Sequence, residues 1–181
     1  MGDPGSEEGV EMMVPMREGT GMAHAQYKVY LWLLVHARQA GRDSYLTVDD
    51  PDDFKGRGIA KACGVATSSV KDILAVLRGR RLVVNVGTRG FAGGAVHLPE
   101  IEGARYAEVD PSDLRRCFAY GAPSCAAEAY VTLTEQCRGD VPGMTEEKGE
   151  EAVGWLKANG MAQEASVDGE RLVCSTRARG R

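Results

Sequence analysis

Lysine and arginine gather in one stretch of this chain. Lys55, Arg57, Lys61, Lys71, Arg78, Arg80, Arg81 and Arg89 fall within residues 55–99, where Asp72 is the lone acid, so the stretch carries +7 in a protein of net charge -4. Cations at that density suit a phosphate backbone, because binding there rests on charge neutralisation and counterion release. Residues 100–181 carry ten bases and fifteen acids, so the basic block sits in acidic surroundings.

Other chemistries find less support. Cys63, Cys117, Cys125, Cys137 and Cys174 make an odd count without a CxxC pair, and His24, His36 and His97 are scattered. Neither set has the spacing of a zinc site, so no metal is expected. The acidic run Asp49-Asp50-Pro51-Asp52-Asp53 lacks the spacing of a calcium loop and reads as a solvated turn. A phosphate-binding GxxxxGK[ST] loop and a nucleophile–base pair are both missing, so neither an enzyme nor a cofactor is expected. The start has no secretory pattern, and the apolar stretch Val29–Val35 is too short to span a bilayer. The expectation is a reduced, cytoplasmic protein with buried thiols.

At 181 residues, 43% hydrophobic and 27% charged, the chain has room for one or two globular domains. Residues 1–22 mix Gly, Glu, Met and Pro without periodicity and read as a disordered tail. A helix is predicted from about Ala23 to Gln39, ending before Gly41. It is apolar nearly all round, which implies cover on two sides, and Trp32 and Leu33 are the candidate interface with a second domain or a second subunit. Ser44–Val48 reads as a strand. A short helix runs to Cys63, Gly64-Val65-Ala66 is a tight turn, and Ser68–Arg78 is a third helix with Val70, Ile73, Leu74 and Leu77 at i, i+3, i+4 and i+7. Leu82–Val86 and Ala95–Leu98 are strands around a glycine-rich loop.

Residues 58–84, GIAKACGVATSSVKDILAVLRGRRLVV, resemble the winged helix-turn-helix of bacterial DNA-binding proteins. The likeness is carried by Ile59-Ala60, Gly64-Val65, Thr67, Ser69-Val70, Ile73 or Leu74, Leu77 and Leu82-Val83. It marks the superfamily rather than one family and covers about residues 24–99. It implies that the third helix lies in the major groove of double-stranded DNA. Thr67, Ser68, Lys71 and Asp72 would then face base edges. Lys71 would donate to guanine O6/N7, and Asp72 would accept from cytosine N4. Lys55, Arg57, Lys61, Ser69, Arg78, Arg80 and Arg81 would contact the DNA backbone, as would Arg89 near the tip of the wing. Each has a plainer reading: Ser69 as a cap, Lys71 and Arg78 as a solvated face, Arg80-Arg81 as a soluble helix end.

Residues 100–105 read as a linker. A looser recurrence follows at 106–176, with helices near Pro111–Ala119, Ser124–Cys137 and Thr145–Ala158. A hairpin turns at Asp168-Gly169. Its third helix opens with Glu146, Glu147, Glu150 and Glu151, which repel phosphate, so this module is expected to contact protein. Residues 177–181 are a basic tail.

The expectation is therefore an α+β, mainly helical protein. A winged helix at 23–99 is followed by a second, winged-helix-like domain, with a smaller α+β appendage as the alternative. Its expected function is that of a nucleoid-associated, homodimeric, sequence-specific transcription regulator. Two alternatives stand beside it. One is a plasmid or phage replication or partition protein with tandem winged helices. The other is an acidic winged-helix interaction subunit of a chromosome-organising complex.

Overall fold

A computed structural model describes residues 11–47, 56–86 and 95–176. Residues 11–22, expected to be part of a disordered tail, are instead built into the fold. β1 (Met12–Pro15) buries Met12 and Val14, and α1 (Arg17–Thr20) closes on Gly21 in the left-handed region. α2 (His24–His36) buries every residue from Val29 to Val35, as an all-round apolar helix must.

α2 ends three residues earlier than its composition suggests. Arg38, Gln39 and Ala40 are good helix formers, but Gly41, at φ +66°, supports a two-residue turn that pairs β2 (Arg38–Ala40) with β3 (Asp43–Thr47). Tertiary pairing overrides local propensity here.

α3 (Gly56–Cys63) and α4 (Thr67–Gly79) are joined at Gly64, where φ is +64° and the Val65 N–H donates to the Ala60 carbonyl at 3.1 Å. α4 buries Val70, Ile73, Leu74 and Leu77, the stripe read from the sequence. Its end is a Schellman cap. The Leu82 N–H donates to Leu77 O at 2.9 Å, and the Arg81 N–H donates to Arg78 O at 2.9 Å. Arg81 takes the left-handed position, at φ +57°, that glycine usually fills. Arg81→Gly is therefore expected to raise stability by about 0.5–1 kcal/mol, read as a higher urea midpoint at unchanged slope; a lower midpoint would contradict it.

β4 (Val84–Val86) and β5 (Ala95–Leu98) follow, and the antiparallel sheet runs β2-β3-β5-β4. The supposed linker at 100–105 is a fixed turn. The Ile101 N–H donates to the Tyr106 hydroxyl, and the Met16 N–H donates to Arg105 O at 2.7 Å. β6 (Tyr106–Val109) pairs antiparallel with β1, so the two ends of the first half meet.

α5 (Pro111–Arg116) has proline at its start and is capped by Asp110, whose carboxylate accepts from the Ser112 and Asp113 N–H groups. α6 (Ala126–Glu135) buries Tyr130 and Leu133. α7 (Glu146–Ala158) is capped by the Thr145 hydroxyl. β7 (Ala162–Val167) and β8 (Glu170–Ser175) form a hairpin with Asp168 and Gly169 both at positive φ, as its Asp-Gly turn requires.

The result is a mixed α+β fold with antiparallel sheets. One continuous core runs from Met12 to Ala162. α2 lies at its centre, with α3 and α4 on one side and α5 and α6 on the other. Arg115 fastens α5 to the end of α2 through the Val35 carbonyl at 3.0 Å.

The expectation of a fully reduced chain is corrected. Cys137 and Cys174 are bridged, which ties the segment after α6 to β8. Cys63 and Cys117 are free and buried, and burial pushes both thiols up to about 12. No helix among the described residues is long and apolar enough to cross a membrane.

Candidate nucleic-acid interface

Because α4 turns Val70, Ile73, Leu74 and Leu77 inward, its other face is free for contact. Thr67, Ser68, Lys71, Asp72 and Arg78 are all exposed, and they share that face with Ala75 and Val76. Ser69 is half-buried near the start of the helix. Ala66 caps α4 without a side-chain hydrogen bond, and its carbonyl accepts from the Ser69 and Val70 N–H groups at 2.9 and 3.2 Å. Lys61 is exposed on the neighbouring α3.

The arginines divide. Arg78 Nε donates to Leu74 O at 3.2 Å, which holds its stem along α4. Arg80 turns away from the helix. Its Nη2 donates to Thr20 O at 2.5 Å and its Nη1 to Gly21 O at 3.0 Å, capping the end of α1. Arg80 thus ties α1 to α4 while remaining exposed at the helix end. Gly21 suits that junction because its φ of +65° lies in the left-handed region. Arg81 is exposed just past the helix end. Arg57 lies on the α3 backbone, but its side chain is outside the described residues, as are Lys55, Arg89 and the loop at 87–94.

Of the two covers expected for Trp32 and Leu33, a second domain or a second subunit, the structure supplies the first. Trp32 is 5% exposed and Leu33 0%, both inside the chain's own core, so α2 has its two covers within one molecule.

A cluster that sequence reading missed lies between the halves. Glu128 of α6, 8% exposed, receives Arg17 Nε at 2.5 Å on one oxygen and faces His24 Nδ1 at 2.6 Å with the other. Close by, the Tyr27 hydroxyl donates to Pro15 O at 2.7 Å, and burial, reinforced by Glu128, pushes its pKa well up. Glu128 is more than a hundred residues from Arg17 and His24 in the chain, and a glutamate in an alanine-rich helix was the available signal.

The second half shares part of the arrangement around α4. α7 also has 13 residues. It ends in the same cap, with the Met161 N–H on Leu156 O at 2.8 Å and the Gly160 N–H on Lys157 O at 3.0 Å. Gly160 takes the position of Arg81, and Leu156 that of Leu77. A hairpin follows in both halves. Before α7, Arg138 forms an antiparallel bridge with Val173 of β8, as β3 pairs with β5. Aligned on these caps, Glu146, Glu147 and Glu150 replace Thr67, Ser68 and Lys71. All three glutamates are exposed.

No protein-family model matches this chain, and neither a curated protein nor a solved structure matches it.

Among the described residues no group of three or more His, Cys, Asp or Glu side chains is placed to hold a metal ion. The outer face of the first sheet carries a different arrangement. Tyr45 stacks on His97 at 4.7 Å between ring centroids, and His97 Nε2 lies 3.0 Å from Asp43 Oδ1. The His97 hydrogen bond is the leading cause that holds the Asp43 carboxyl below its ordinary value.

Proposed function

We propose that the chain binds double-stranded DNA as a winged helix-turn-helix protein, with α4 as the reading helix and β4–β5 as the wing. The observation that carries this reading is the division of α4. Four aliphatic residues anchor it, while Thr67, Ser68, Lys71 and Asp72 are all exposed on its first turns. Those positions are the ones that reach base edges when such a helix lies in the major groove. Lys61, Arg78 and Arg81 flank the helix as candidate phosphate contacts. Transcription regulation is the role this reading favours.

The α7 half supports a second role within the same reading. Tandem winged halves suit a plasmid or phage replication or partition protein. The acidic face of α7, however, argues that α4 alone reads DNA.

The test is Lys71→Ala, titrated with a duplex selected from a random pool and with random duplex. The expected loss is about 1–3 kcal/mol on the selected duplex and less on random DNA. Equal losses on both would move Lys71 to the backbone contacts. Absence of salt-dependent binding to any duplex by the unaltered protein would overturn DNA binding itself and favour the acidic protein-interaction subunit.

A further inference from the structure

In the first half, α3 packs against α4. Ile59, Ala60 and Cys63 of α3 are buried, as are Val70 and Leu74 of α4. In the second half, the chain between the Arg138 bridge and α7 has no helix. It passes through Val141-Pro142-Gly143-Met144 as a short turn. The α7 residues aligned with Val70 and Leu74 are Gly149 and Val153, and both are half-buried instead of buried. They line a groove of about 520 Å³ whose apolar wall also includes Val141, Met144 and Val173.

The rim of that groove is acidic. Asp140, Glu146 and Glu150 line it, and all three are exposed. None of them forms an ion pair among the described residues. The groove therefore offers apolar surface where α3 supplies it in the other half, bordered by negative charge where α3 itself carries Lys61.

We propose that this groove is a docking site for a short, basic, amphipathic helix of a partner protein, seated against α7 where α3 sits against α4. Aliphatic side chains at helical spacing would cover the half-buried Met144, Val153 and Val173, and lysines or arginines on the flanks would face Asp140, Glu146 and Glu150. Charge complementarity chooses the occupant. An acidic helix would be repelled, and a neutral one would leave the carboxylates beside apolar surface without partners. This goes beyond the DNA reading and does not depend on it.

The probe is a fluorescein-labelled peptide of about 14 residues, built of leucine and lysine with the leucines at i, i+3, i+4 and i+7. A scrambled peptide of identical composition has the same charge and no apolar face. Both are titrated into the full chain without DNA, by anisotropy and by amide chemical-shift mapping. The amphipathic peptide should bind at least about tenfold more tightly than the scrambled one, and the perturbed amides should cluster at 139–153 and around Val173. Glu146→Gln combined with Glu150→Gln should weaken it about tenfold, a difference of about 1.4 kcal/mol. Val173→Ser, on the β8 part of the lining, should weaken it without altering the charge. Equal binding of the two peptides would reduce the effect to charge attraction and overturn the proposal. So would perturbations centred on α4, or unchanged affinity in both variants.

Discussion

Leu33→Ala is expected to lower the free energy of unfolding by about 2–5 kcal/mol while leaving the association state unchanged. Leu33 is fully buried on a helix whose neighbours Leu31, Trp32 and Leu34 are buried as well. Truncating it opens a cavity at the centre of the core, and the cost depends on how far α3 and α4 on one side, and α5 and α6 on the other, can close in. That loss is a large part of the 5–15 kcal/mol typical of a folded protein. Urea unfolding should show a lower midpoint at similar slope, and sedimentation velocity should give the same species before and after the change. A variant of unaltered stability that falls from dimer to monomer would contradict the intramolecular placement of α2.

The second large effect is expected at Glu128. Removing one member of a buried ion pair typically costs 3–5 kcal/mol, because the partner keeps its charge without compensation. Here the side chains of Arg17 and His24 are 21% and 49% exposed, so water screens them in part. The expected cost of Glu128→Ala is therefore about 2–3 kcal/mol. Glu128→Gln keeps an acceptor for Arg17 and should cost less than alanine. Paired urea titrations decide the matter: equal losses for both variants would show that packing, and not the carboxylate, is what matters there.

What was legible in the sequence is what local chemistry determines. The apolar stripe of α4 follows from Val70, Ile73, Leu74 and Leu77 at helical spacing. The β7–β8 turn follows from Asp168-Gly169, and the α5 cap from Asp110 before Pro111. What escaped depends on partners far away in the chain. Met12–Pro15 is too short to announce a strand and becomes one because Tyr106–Val109 lies beside it. Arg38-Gln39-Ala40 resembles the continuation of a helix until β3 draws it into a sheet. An odd cysteine count cannot say that Cys137 meets Cys174.

The candidate site was legible to the same degree. The exposed positions of α4 follow from its buried ones. The turning of Arg80 toward Thr20 and Gly21 requires α1, a four-residue helix too short to show a periodic signature.

The pairing of β1 with β6 also governs the order in which this protein can be completed on the ribosome. The strand that opens the described chain must wait for Tyr106–Val109 to be synthesised before its backbone groups find their ladder. Until then Met12 and Val14 have no sheet to enter. The helix pair that presents Lys71 emerges earlier, but α2 beneath it still lacks the cover of α5 and α6. A nascent chain halted near residue 100 would therefore expose the apolar flank of α2, and the first half is expected to need the second for solubility during translation.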